Sequence, residues 1–211
     1  MTPGSLPSRS SGNRPARATR DPVNVASIGW LVVAALVLVH GTGAAHAAAS
    51  VWDALREPGA VVVVRHSYAP GAFDPPDAKL EDCSTQRNLD ANGRAQARRI
   101  GEAFRQHGID VGAVLSSPRC RCLDTARLAF GRVEAWAPLQ GALDDAALRR
   151  RQVAEIRQRM AGHRSGPPLV LVTHGSVVTD LTGLGVQMGA FVVLRRAADG
   201  SHAVAGQLYV D

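Results

Sequence analysis

VVVVRHSYAPG, Val61 to Gly71, is the stretch that sets the fold. Four consecutive valines do not alternate with polar residues, so they read as a strand buried on both faces, placed at Ala60–Val64. Arg65 and His66 stand where that strand ends, and a proline-glycine loop follows. Two polar side chains at the mouth of an apolar strand acquire meaning only if other strands deliver partners to the same edge.

The rest of the chain alternates helix and strand. Residues 66–90 hold Pro70, Gly71, Pro75 and Pro76 and read as a long loop, of a length often tied to function. Asn92–His107 sets Ala95, Ile100, Ala103 and Phe104 at helical spacing, and Gly108 stops it. Val111–Ser116 is a second apolar strand. Pro118 opens a helix running to about Phe130. Arg132–Ala137 is a short third strand, and Asp144 or Asp145 caps a helix over about 146–161. Pro168–Thr173 is a fourth strand, apolar throughout, followed by a helix from about Ser176 to Thr182. Ala190–Arg195 and Ala203–Tyr209 close the chain, the latter alternating as an edge strand does. This order predicts an α/β fold: a three-layer α/β/α sandwich with a mostly parallel central sheet.

Ligands in such sheets bind beyond the C-terminal strand ends. There the first strand delivers Arg65 and His66, the second runs into SSPRCRCLDTA (Ser116–Ala126), and the fourth ends in Thr173-His174-Gly175. Two histidines and several arginines thus share one edge.

These blocks resemble the signature of the histidine phosphatase superfamily, the phosphoglycerate mutase-like enzymes. Arg65-His66-Ser67 is similar to its R-H-G, and Ser117–Ala126 is similar to S-P-L-x-R-A-x-x-T-A with Arg121 at the phosphate-binding arginine. Leu89–Ala97 resembles its L-x-x-x-G-x-x-Q-A helix start, and VTHGSVVTDLTG its third block. The likeness runs from about residue 60 to 196. It implies a metal-independent phosphomonoester hydrolase without cofactor, with His66 as nucleophile and a phosphohistidine intermediate. Bidentate guanidinium groups suit phosphate oxygens, so Arg65 and Arg121 are the expected clamps. His174, cationic beside two phosphate charges, is expected to donate to a phosphoryl oxygen. Arg87, in the long loop, is a further candidate substrate contact, whereas Arg119 reads as a surface residue at the helix start. A non-enzymatic phospho-ligand binder on the same scaffold is the alternative.

The sequence departs from the family at three points. Ser67 replaces the usual glycine, Gly175 follows His174 where one branch has a proton-donating aspartate, and PLQGALDDAALRR, the region where the mutase branch has a glutamate donor, holds no glutamate. Asp144 and Asp145 are the acids nearest that place, and both read as helix caps. The general acid is unassigned. DCSTQRNL with CRCLDTA looks like a small, often exported subgroup.

Composition bounds the partners. The chain has 211 residues and a formal charge of +6, with Lys79 its only lysine. No basic run is interleaved with aromatics, which make up 4% of residues, so nucleic acid is not an expected partner. Four arginines precede the uncharged run Ile28–Val39, and Ala45-His46-Ala47 supplies a small-residue exit. That is the layout of a secretory signal over 1–47, with the phosphatase domain at 48–211. The domain is then periplasmic or secreted. An uncleaved anchor holding it at the membrane, facing the periplasm, is the alternative, and membrane contact is expected only through that segment. In an oxidising compartment Cys83 is expected to pair with Cys120 or Cys122. These cysteines do not have zinc spacing, and no metal site is expected. No amphipathic surface stripe stands out, and the chain reads as a monomer with a small phosphorylated substrate.

Overall fold

The computed structural model describes residues 50–210. The segment 1–47, expected to be a signal peptide or an anchor, lies outside the described residues. Among the described residues no helix is long and apolar enough to cross a membrane.

A six-stranded sheet forms the centre. Its strands are β1 (Val61–Arg65), β2 (Val114–Ser116), β3 (Glu134–Ala135), β4 (Leu169–Thr173), β5 (Ala190–Arg196) and β6 (His202–Tyr209). They lie in the order β3-β2-β4-β1-β5-β6. The first four in that order pair in parallel, while β5 and β6 join antiparallel, with β6 at the edge as its alternation predicts. The helices are α1 (Val51–Ala54), α2 (Ala91–Gln106), α3 (Cys120–Phe130), α4 (Ala146–Gly162) and α5 (Gly175–Thr182).

The continuous apolar strands are explained by two cores. Val62 and Val64 pack with Ile100, Phe104 and Ala126 of α2 and α3. Val61 and Val63 pack on the other face with Ile156, Met160, Val177 and Val178 of α4 and α5. Successive strand side chains point to opposite faces, so a strand covered on both sides must be apolar at every position. The predicted three-layer sandwich is thereby realised.

Boundaries shift at a few places. β3 is only two residues long, against the expected Arg132–Ala137, because the chain turns at Trp136 into a 3₁₀ helix with Pro138 in its first turn (Ala137–Gln140). α1 was not expected. Ser50 and Asp53 cap it reciprocally, each side chain accepting the other's backbone N–H.

Close backbone approach joins α2 to α3. A Cβ on Gly101 would fall 1.9 Å from the Ala129 carbonyl oxygen. Since the obstacle is backbone, Gly101→Ala is expected to destabilise the domain by about 3 kcal/mol or more. Urea unfolding measures this, and an unchanged midpoint would contradict the packing described.

Candidate active site

β2, β4 and β1 are neighbours, so their C-terminal ends open into one cavity of about 420 Å³. Arg65, His66, Arg87, Arg121 and His174 all line it. Every residue that the sequence singled out for the site is therefore brought together.

His66 is buried, and its Nδ1 lies 2.8 Å from the Ser67 carbonyl oxygen. A carbonyl only accepts, so Nδ1 carries the proton and Nε2 keeps its lone pair. The Ser67 N–H donates to Thr125 Oγ1 at 3.0 Å, and that hydroxyl donates to the Arg121 carbonyl at 2.7 Å. The loop after β1 is thus pinned to α3. Ser67 serves here through its backbone; its buried hydroxyl has no partner, and nothing in the structure explains it. Burial, with help from Arg121, Arg87 and Arg65 and against the Ser67 hydrogen bond, pushes His66 down to about 3. Its imidazole is neutral at physiological pH.

His174 caps the start of α5, 5.5 Å from His66 between ring centroids. Arg121 Nη2 approaches its Nδ1 at 3.4 Å, and its Nε2 lies 2.8 Å from Ser117 Oγ. Guanidinium only donates, so Nδ1 accepts and Nε2–H faces the serine. Burial first, then Arg121 and His66, hold His174 well below its ordinary value. The side chain is therefore neutral in the protein as it stands; the cationic form is expected only beside phosphate, whose negative charge would favour the imidazolium.

Arg65 Nη1 donates to the Val186 carbonyl at 2.6 Å. Gly175 leaves room for it, since a Cβ there would come within 3.3 Å of the guanidinium carbon. Arg87 Nη1 donates to the Ala69 carbonyl at 2.6 Å and to that of Gly71 at 3.1 Å. The loop it belongs to is stapled over the cavity by the Cys83–Cys120 disulfide, which settles the open choice of cysteine partner. Cys122 is a buried thiol pushed up to about 12 by desolvation, and it packs 3.6 Å from His174 Nε2.

Two readings need correction. Arg119 is not simply a surface residue: it lines the cavity, with its Nη1 3.6 Å from Asp74. Asp144 and Asp145 also differ in role. Asp145 Oδ1 accepts from the Ala147 and Leu148 N–H groups at 2.9 Å, whereas Asp144 lines the cavity.

Sequence reasoning missed Asp74. Its carboxylate accepts from Arg121 Nη1 at 2.8 and 3.0 Å and from the Arg87 N–H at 2.9 Å. Burial opposes its ionisation, but the Arg87 N–H and the Arg121 and Arg119 guanidiniums prevail and hold it below its usual range. The pair is mostly shielded from water, with side chains 8% and 14% exposed, so it resists screening better than a surface pair. A lone aspartate in a proline-glycine loop carries no local signal of such a role. Charge now decides what the cavity accepts. Four arginines and two aspartates line it around two neutral histidines, leaving a surplus of two positive charges.

Residues 61–141 match the family model described as "Histidine phosphatase superfamily (branch 1)". The match runs from β1 to the end of the 3₁₀ helix and so takes in Arg65, His66, Arg87 and Arg121. Solved structures with the same fold include the Rv3214 open reading frame product of Mycobacterium tuberculosis, at TM-score 0.55 and 18% identity, covering 72% of this chain and 97% of that one. The protein histidine phosphatase SixA, complexed with tungstate, matches at TM-score 0.51 and 17% identity over 71% and 96% of the two chains. A phosphoserine phosphatase mutant of Entamoeba histolytica, in complex with phosphoserine, matches at TM-score 0.53 and 12% identity over 70% and 95%. No curated protein matches the chain by sequence. The match to that family model supports phosphatase activity in this chain.

Proposed function

We propose that this protein is a histidine phosphatase that hydrolyses small phosphomonoesters through a phosphohistidine on His66, and that the segment 1–47 exports it to the periplasm or beyond. The observation that carries the reading is the state of His66. A neutral imidazole, with Nδ1 tied to the Ser67 carbonyl, sits in a cavity whose charge surplus equals a phosphate dianion.

The chemistry follows from these groups. Arg65 and Arg121 hold the phosphoryl oxygens, and Arg87 adds a contact from the loop. The dianion competes with Asp74 for Arg121. The Nε2 lone pair of His66 forms the N–P bond as the ester P–O bond breaks, its electron pair leaving with the alcohol oxygen. His174, whose Nε2–H is held by Ser117 beforehand, turns that donor to a phosphoryl oxygen as charge develops. Water then attacks phosphorus, the N–P pair returns to Nε2, phosphate leaves, and the proton that the water gives up balances the one taken up by the alcohol oxygen. The arginines supply the positive charge and His174 a hydrogen bond, so the mechanism calls on no metal ion.

A rapid quench without acid, after mixing with ³²P-labelled substrate, is expected to trap label on His66 and none in His66→Ala. A phospho-ligand binder would carry no covalent label, and that outcome would replace the phosphatase reading with the binding one.

A further inference from the structure

We infer that the organic group of the substrate is apolar, and that Phe73 and Leu143 select it; the inference rests on the phosphatase reading of the same cavity. Seven large hydrophobic side chains are exposed among the described residues, and Phe73 and Leu143 are the two most exposed, at 80% and 63%. Both line the cavity that holds His66. They come from separate segments. Phe73 immediately precedes Asp74 on the loop stapled by Cys83–Cys120, and Leu143 immediately precedes Asp144 after the 3₁₀ helix.

Scattered exposed hydrophobics need no explanation, but two converging on the mouth of a charged cavity do. The arginines occupy the base, where a phosphate belongs. A cavity of about 420 Å³ is in the size range of sites that enclose a whole small ligand, so space remains beyond a phosphoryl group. A polar sugar or amino-acid substituent would leave the Phe73 ring and the Leu143 side chain in water. An apolar substituent would remove both from water together with its own surface, and a ring would also stack on Phe73.

The test compares steady-state kinetics on benzyl phosphate, octyl phosphate and glycerol 2-phosphate, three esters of ordinary alcohols. KM for at least one of the two apolar esters is expected to lie tenfold or more below that for glycerol 2-phosphate. Benzyl against octyl phosphate then tells whether a ring or a chain is preferred. In Phe73→Ser and Leu143→Ser the KM ratio of polar to apolar ester is expected to shrink at least fivefold, with kcat for the apolar ester much less affected. Equal KM values in the wild type, or a ratio unmoved in both variants, would overturn the inference. If His66 still takes label from acetyl phosphate in that case, the phosphatase reading stands without it; no label from any of these compounds would remove both.

Discussion

His66→Ala is expected to lower kcat on 4-nitrophenyl phosphate by about 10⁴-fold or more, the scale seen when a covalent nucleophile is removed. The size follows from the geometry. The Nδ1–H is committed to the Ser67 carbonyl, and Thr125 fixes the same loop from α3, so the ring is aimed before substrate arrives. No neighbouring side chain can replace it. Cys122 is buried and held as a thiol, and His174 has its own Nδ1 toward Arg121 and its Nε2 toward Ser117. The residual rate would come from the arginines alone. A circular dichroism spectrum matching the wild type at pH 7 separates lost chemistry from lost folding. Activity within tenfold of wild type in the folded variant would eliminate His66 as nucleophile.

Acid is expected to destabilise the fold well above the pH at which carboxylates titrate. Inside the fold His66 takes a proton only near pH 3, mainly because of burial, while in the unfolded chain it does so near 6.5. Between those values the unfolded chain binds more protons, so stability is complete above about pH 6.5 and falls as pH drops toward 3. At about 1.4 kcal/mol per pH unit, His66 alone removes about 2 kcal/mol by pH 5. His174 is shifted in the same direction, again chiefly by burial, and adds to the loss. For a domain of this size the melting temperature should fall by about 5 °C or more between pH 7 and pH 5. His66→Gln, which keeps a polar side chain but cannot titrate, should show a smaller fall over the same interval. A wild-type melting temperature that is flat from pH 7 to pH 5 would show that these histidines are not buried as neutral groups.

The polarity that drives both predictions is only partly legible along the chain. Val61–Val64, Pro168–Thr173 and Ala190–Arg195 announce strands covered on both faces, because side chains that alternate between two cores must all be apolar. Their order announces the layered sheet, and the rule that ligands sit beyond strand ends points to Arg65, His66, Arg121 and His174. Helix boundaries were also close to legible, since Asp90 and Asp145 cap α2 and α4 with their own side chains. Such signals are local: they depend on periodicity and on neighbours three or four residues apart.

Arg119, Asp74 and Asp144 show where that legibility stops. Arg119 sits at a helix start, where an arginine ordinarily points to water, and Asp144 adjoins a true cap. Only the folding of the 66–90 loop over β1 and α3 carries Asp74 across 47 positions to Arg121. The same closure decides that Cys83 meets Cys120 rather than Cys122, which lies two residues further along α3 and faces the core instead. The sequence by itself determined the buried sheet, the strand edge that gathers the charges, and the identity of the nucleophile candidate. The tertiary structure alone decided which nitrogen of His66 is free, that both histidines are neutral, and which carboxylate holds Arg121. Those properties depend on burial and on contacts between residues distant in the chain, and no short-range pattern encodes either.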